Sequence, residues 1–265
     1  MVSSIDESID EILTKKLSVS RYGDGEMRLM YGESIEFQSH SILLQNKLIQ
    51  VFGSTNQAHM VCLPDIFRSL NQYKSKATYF WELHLYKYFR SWMKLTKNKK
   101  KYGNAFITRP YITYKNYVQS KEWFSLLKRL WDGKDVLIVE GVVSRLGVGN
   151  DLFDNCKSIN RILCPSLNAF AKYNEILEAA KSQNRDKLIL LAIGPTATVL
   201  AYDLCLQGFQ ALDIGHIDIE YEWFLMKADW KVNIPTKHTN EATSLLPDQF
   251  IFDKKYSSQI ILNIE

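Results

Sequence analysis

The run Ser20-Arg21-Tyr22-Gly23-Asp24-Gly25-Glu26 sets an arginine, two glycines and an Asp-x-Glu pair directly behind the short apolar stretch Leu17-Ser18-Val19. In extended or looped backbone, residues two apart point to the same side. A strand-to-loop turn here is therefore expected to aim Asp24 and Glu26 at one point. Two convergent carboxylates suit a hard divalent cation such as Mg2+ or Mn2+. Gly23 and Gly25 let the backbone come close to a ligand, and Arg21 carries the planar fork that grips phosphate. A solvated acidic turn is the plainer alternative for the same residues.

Further candidates fall at other expected strand ends, where parallel sheets bind ligands near helix N-termini. Glu140-Gly141-Val142-Val143-Ser144-Arg145-Leu146-Gly147-Val148-Gly149-Asn150-Asp151 follows a strand and precedes an expected helix. Gly147 and Gly149 give a tight loop rich in N–H donors, and Arg145 adds a fixed charge, which together suit a pyrophosphate. Leu152 stands where the third glycine of a dinucleotide fingerprint belongs, and no Gly-Lys-Ser/Thr follows to make a Walker loop. A flexible loop is the competing reading. Gly194-Pro195-Thr196 is helix-start chemistry, explained by capping alone. Asp213-Ile214-Gly215-His216-Ile217-Asp218-Ile219-Glu220-Tyr221-Glu222 gathers polar groups beyond a last strand. There His216 is a candidate for phosphate or metal, and Asp218, Glu220 and Glu222 for metal binding or base work. Arg109, before Pro110, is an isolated candidate that a structural salt bridge explains equally well.

The elements that position these residues read as α/β. Ser4 with Glu7 is a capping box opening a first helix over Ile5, Ile9, Ile12 and Leu13. Residues 41–52, 78–95 and 121–131 have helical periodicity, and His59 to Leu63 reads as a strand closed by Pro64. Asn104 to Pro110 is expected as a strand. The aromatics of 78–95 are expected as core or as the wall of a cleft. In the second half, Asp135–Glu140, Ile159–Cys164, Lys187–Ile193 and Ala211–Ile214 are continuous apolar runs, separated by helical patterns at 168–182 and 195–207. Apolar strands alternating with helices predict a Rossmann-like, mostly parallel sheet flanked by helices. A soft boundary near Asp132-Gly133 divides halves that are expected to pack as one unit, and beyond Asp229 only Gln259-Ile260-Ile261-Leu262 shows a pattern.

Composition sets the class. The chain has 265 residues, 46% hydrophobic and 23% charged, which describes an ordinary globular protein with a sizeable core. A net charge of +4 does not call for nucleic acid and is compatible with an acidic small molecule. Cys62, Cys156, Cys164 and Cys205 form no C-x-x-C pair, so reduced thiols are expected rather than zinc or disulfides. No signal sequence or spanning segment is seen, and a soluble cytoplasmic protein is expected. The basic run Lys94 to Lys101 leaves an anionic-surface role open, although such runs are commonly solvated.

Taken together, Arg21 to Glu26, Thr108-Arg109-Pro110-Tyr111, Ser144 to Asp151 and Asp213 to Glu222 resemble the bacterial GT-D glycosyltransferases, over most of the chain. The resemblance implies one domain over residues 1–265 that binds a UDP-sugar with a divalent metal, the Asp-x-Glu motif mapping onto Asp24 and Glu26. It further implies UDP-glucose or a close relative as donor. The implied acceptor is a sugar already on a protein or carrier, including glycans of serine-rich-repeat adhesins. The expected division of labour gives the diphosphate to the metal with Arg21, Arg145 and His216. Donor orientation falls to Gly147, Gly149 and Asn150, with Gly23, Arg109 and Ser144 beside them, and base work to Asp218 first and Glu220 second. The alternatives are a nucleotide- or sugar-phosphate-binding module without turnover, an anionic-surface or nucleic-acid binder, and a dehydrogenase, against which the missing glycine counts. A homo-oligomer built on the 79–92 aromatics is also open.

Overall fold

The computed structural model describes residues 1–97, 101–234, 237 and 252–265. Its strands are β1 (Ser18–Arg21), β2 (His59–Leu63), β3 (Gly103–Asn104), β4 (Asp135–Gly141), β5 (Ser158–Cys164), β6 (Leu188–Ala192), β7 (Ala211–Asp213) and β8 (Ile260–Asn263). They form one eight-stranded sheet in the order β3-β2-β1-β7-β6-β4-β5-β8, and every pairing is parallel. This is the α/β, Rossmann-like sheet flanked by helices that the apolar runs predict. The Asp132-Gly133 region joins a helix to β4 inside that continuous sheet and separates no second one.

The helices are α1 (Ile5–Lys15), α2 (Asp24–Met30), α3 (Ile42–Phe52), α4 (Ser75–Leu95), α5 (Tyr117–Lys128), α6 (Tyr173–Lys181), α7 (Pro195–Leu206), α8 (Ile217–Leu225) and α9 (Lys254–Gln259). Val136 to Val139 of β4 and Leu188 to Leu191 of β6 are apolar on both sides because both faces of the sheet are covered there. Val136 and Ile138 of β4 join Leu188 and Leu190 of β6 in a core shared with Ile9, Trp123 and Trp131. Their neighbours Leu137, Val139, Ile189 and Leu191 point the other way, into a core with Leu44, Val199 and Leu200. The alternation is the two-residue period of a strand. Helix α1 opens on the expected capping box: Ser4 Oγ accepts from Glu7 N–H at 3.1 Å, and Glu7 Oε2 accepts from Ser4 N–H at 3.0 Å.

Two local expectations are corrected. Asn104 to Pro110 is no strand: β3 stops after two residues, and Ala105–Thr108 forms a 3-10 turn. Asn104 Oδ1 accepts from Phe106 N–H at 2.9 Å, and this side-chain cap wins over ladder pairing. No helix follows Asn150-Asp151 directly; residues 151–155 are turns and bends.

All four cysteines are free thiols, three of them buried. Among the described residues no helix is long and apolar enough to cross a membrane. Of the basic run, Lys94 lies in the last turn of α4 and Lys101 Nζ stands 3.4 Å from Glu11 Oε2, whereas residues 98–100 lie outside the described residues.

Candidate active site

The carboxyl ends of seven strands, from β3 to β5, open into one cleft of about 420 Å³. It sits where the strand order reverses around β1 and β7, the crevice in which doubly wound sheets bind ligands. Six inter-strand spacings of about 4.8 Å make it roughly 29 Å long. Its middle is charged, with Arg21, Asp24, Glu26, Arg109, Asp213 and His216.

Arg21 is fixed by Asp213 at the end of the neighbouring strand. Its Nη2 donates to Asp213 Oδ1 at 2.8 Å, its Nε to Asp213 O at 2.8 Å, and its backbone N–H to Asp213 Oδ2 at 3.2 Å. Nη1 has no protein partner among the described residues and remains available to an anion. Gly215, at φ +45°, makes room: a Cβ there would lie 2.0 Å from Nη2. Asp213 was within reach of sequence reasoning, since it stands in the same motif, but only the β1–β7 pairing of residues 192 apart reveals its partner.

Asp24 and Glu26 do not lie on a turn. They are the first and third residues of α2, and a helix turns residues two apart by about 200°. The expected convergence on one point therefore gives way to a divided arrangement. Glu26 folds back, its Oε2 accepting from Gly23 N–H at 2.8 Å, while Asp24 stands at the helix start; both still line the cleft. Burial, reinforced by the charge of Asp213, raises the Glu26 carboxyl to about 7, against the pull of the backbone N–H groups and Arg21.

Among the described residues no group of three or more His, Cys, Asp or Glu side chains is placed to hold a metal ion. Two carboxylates facing a cleft do fit Mg2+ or Mn2+ in the usual manner of Mg2+, held by one or two protein oxygens, water and the phosphates of a substrate. Asp24 and Glu26 are the residues that would hold it.

The loop after β4 departs from the anion-cradle expectation. Arg145, Gly147, Gly149 and Asn150 do not line the cleft, whereas Ser144 does. Arg145 is buried at φ +49°, its guanidinium 5.6 Å from the Tyr256 ring. The loop's donors turn inward to carboxylates: Leu146 N–H reaches Glu140 Oε2 at 2.7 Å, and Gly147 N–H reaches Asp218 Oδ1 at 2.9 Å. Asn150 Nδ2 donates to Asp218 Oδ1 at 2.8 Å and to Glu222 Oε1 at 2.7 Å. Gly147 has φ +78°, and its Cβ would strike Phe153 at 2.8 Å, so the glycine serves packing. Behind the loop Glu140 is fully buried against Arg161 Nη1 at 2.5 Å.

The acidic run beyond β7 is also helical. On α8, Asp218 and Glu222 share a face and Glu220 points elsewhere. Lys237, fully buried, donates to Asp218 Oδ2 at 2.6 Å and Glu222 Oε1 at 2.7 Å. Glu220 Oε2 accepts from Tyr111 N–H at 3.2 Å and Ile112 N–H at 2.9 Å, and Glu220 does not line the cleft; Asp218 does. Lys237 carries no local sequence signal and escapes a reading of the sequence.

Arg109 and His216 meet at the cleft, with Arg109 Nη2 donating to His216 Nδ1 at 2.7 Å. A guanidinium can only donate, so Nδ1 accepts and the proton of the neutral ring sits on Nε2. Toward β2 and β3 the cleft is aromatic, with Phe80, Trp81, Phe106 and Trp230, so part of the 78–95 stripe is indeed a wall. Toward β4 and β5 it is lined by Gly141, Val143, Ser144, Pro165 and Ser166, with the Phe37 ring beside Gly194.

The chain is similar to known proteins along its whole length. The pattern of the Glycosyltransferase GT-D fold family matches residues 19–242. The chain is 44% identical over 264 residues to "Probable glycosyl transferase Gly" of Streptococcus gordonii and 42% identical over 264 residues to "Glycosyltransferase GlyD" of Streptococcus pneumoniae serotype 4. These matches cover 99% of this chain but only 39% and 32% of the relatives, which are much longer. A solved structure described as a new glycosyltransferase from Streptococcus sanguinis superposes with TM-score 0.91 at 44% identity, covering 100% of this chain and 99% of that one. Another, a domain described as having a distinct glycosyltransferase fold, superposes with TM-score 0.94 at 42% identity, covering 100% of this chain and 95% of that one. This chain belongs to the glycosyltransferase GT-D fold family.

Proposed function

We propose that the chain transfers a hexose, glucose first, from a UDP-sugar to a sugar acceptor on a glycoprotein or glycan, with Mg2+ or Mn2+ at Asp24 and Glu26. The observation that carries this reading is the placement of Arg21, Asp24 and Glu26 around one strand end in the middle of the cleft. The family membership supports the reaction class.

Glycosyl transfer leaves a diphosphate on which negative charge grows. The bound cation would supply neutralisation of that charge. Arg21 offers Nη1 to a phosphate oxygen while Asp213 holds the rest of its guanidinium, so the donor is preorganised. Arg109, donating to His216 Nδ1, adds a second guanidinium at the middle of the cleft. The site is thus built for departure of the leaving group.

Asp218 and Glu220 take different parts from those expected of bases. Glu220 is an anchor for the Tyr111-Ile112 backbone. Asp218 reaches the cleft, yet both of its oxygens are already hydrogen-bonded. A proton taken on Oδ2 would set a neutral carboxyl against the buried Lys237 ammonium, at a large cost. We read Asp218 as the anchor of the 144–150 loop.

The test is UDP release from a panel of UDP-sugars, with Mn2+ or with chelator, by wild type and Asp24→Ala. Metal-dependent release that favours one sugar and is lost in the variant supports the reading. Absence of release together with absence of UDP binding by calorimetry overturns it.

A further inference from the structure

The cleft has two unlike ends on either side of its charged middle. The β4–β5 end is lined by Gly141, Val143, Ser144, Pro165 and Ser166, with the Phe37 ring beside Gly194. The β2–β3 end is walled by aromatic rings. Phe80 stands there 46% exposed, its ring 5.1 Å from Trp81, which in turn lies 5.7 Å from Phe106 in an edge-to-face series. Trp81 and Phe106 are buried and brace the wall, so Phe80 is its accessible ring. Half-buried Trp230 lines the same end, with Lys76 Nζ 5.1 Å from its ring centroid. From Phe80 the apolar surface runs outward along α4 through Leu83 and Tyr86, both exposed, at helical spacing of three.

We propose that the β2–β3 end is the acceptor subsite, and that it takes a saccharide by stacking the apolar face of a pyranose ring on Phe80, with Trp230 beside it. The inference rests on the glycosyltransferase reading above. A pyranose carries C–H groups on its faces and hydroxyls around its rim. It therefore needs a flat apolar surface with a few polar groups at the edge, the mixture that ligand clefts provide. The Lys76 ammonium supplies a hydrogen-bond donor for such a rim. The assignment of ends follows from access. A free nucleotide-sugar needs no exit for a larger attached body and can lie toward the β4–β5 end. An acceptor sugar attached to a larger glycan or protein must leave the cleft on one side, and at the aromatic end the apolar surface continues from Phe80 through Leu83 and Tyr86. The charged middle then separates the two, so that the transferred sugar lies between diphosphate and acceptor.

The test compares wild type, Phe80→Ala and Phe80→Trp for acceptor-free hydrolysis of UDP-glucose and for UDP release stimulated by a panel of methyl β-hexosides. Phe80 is exposed, so its truncation leaves the fold intact. Expected is that Phe80→Ala raises the hexoside concentration for half-maximal stimulation by about tenfold or more while the KM for UDP-glucose in hydrolysis stays within about twofold, and that Phe80→Trp restores wild-type behaviour. A rise in the KM for UDP-glucose would place the nucleotide at this end and overturn the proposal. An unchanged hexoside response would overturn it as well, as would a wild type that hydrolyses UDP-glucose but is stimulated by no hexoside. A wild type that neither hydrolyses nor binds UDP-glucose would instead bring down the glycosyltransferase reading itself.

Discussion

The Arg21 guanidinium occupies the space that any side chain at position 215 would need: a Cβ on Gly215 would sit 2.0 Å from Nη2 and 3.0 Å from Cζ. Position 215 therefore decides where the Arg21 guanidinium sits without carrying a functional group. Gly215→Ala must push the arginine away from Asp213 and tolerate a φ of +45°. UDP binding is expected to weaken by about tenfold or more, with a stability loss of only about 1–3 kcal/mol. Calorimetric titration with UDP beside a urea melt separates the two; intact UDP affinity in a folded variant would show that Arg21 does not serve the ligand.

Asp24→Ala should abolish the stimulation of UDP binding by Mn2+ while leaving metal-free binding within about twofold, because Arg21 and His216 remain in place. The measurement is UDP affinity across a Mn2+ series. An unchanged Mn2+ response would remove Asp24 from the metal site.

The Glu26 carboxyl, raised from the ordinary 4.5 to about 7, ties stability to pH. Its burial favours the protonated form, so its contribution is fully present below 4.5 and is lost as pH rises through about 7. Glu26→Gln keeps an acceptor for Gly23 N–H and carries no charge. In chelated protein the variant is expected to exceed wild type by about 1–3 kcal/mol at pH ~8 and to match it near pH ~4. Urea melts at both values test this, and parallel curves for the two proteins would contradict it.

Asp218→Asn discriminates anchor from base. As an anchor, the residue should leave kcat within about tenfold of wild type and raise the KM for the donor as the 144–150 loop loosens; loss of a general base would cost roughly 10²–10⁴ in kcat with KM little changed. Steady-state UDP release at saturating donor settles the matter.

Lys237→Met leaves Asp218 and Glu222 facing each other without their shared cation. Removing one partner of a buried ion pair costs about 3–5 kcal/mol. Chemical denaturation should show a loss of that order. A loss under about 0.5 kcal/mol, the scale of an ordinary surface substitution, would mean that the ammonium holds nothing together.

Much of the sheet was legible because β4 and β6 carry continuous apolar runs and helices begin with recognisable caps, as at Ser4 and Pro195. The pattern failed where side chains override it. Asn104 caps a 3-10 turn where a strand was expected, and Asp218-Ile219-Glu220-Tyr221-Glu222 alternates like a strand although it is helical. Its acids are buried because remote donors meet them, from Gly147, Tyr111, Ile112 and Lys237, and no local pattern announces such partners. The same physics divides the candidate site. Arg21, Gly23, Asp24, Glu26, Arg109, Ser144, His216 and Asp218 reach the cleft, since they stand at strand ends or helix starts. Arg145, Gly147, Gly149, Asn150 and Glu220 do not, since buried carboxylates draw the loop and the helix inward. A glycine-rich loop with an arginine looks the same in sequence whether its N–H groups face a phosphate or an internal aspartate.

The pairing of β1 with β7 sets Val19 beside Leu212, and across that seam Arg21 meets Asp213, 192 residues away. A ribosome must deliver most of the chain before either residue finds the other. Contacts this distant in sequence close late and slowly, because the intervening chain must first be ordered. The Arg21–Asp213 pair is therefore among the last parts of the molecule to assemble, and a nascent chain that still lacks β7 carries an arginine without its brace.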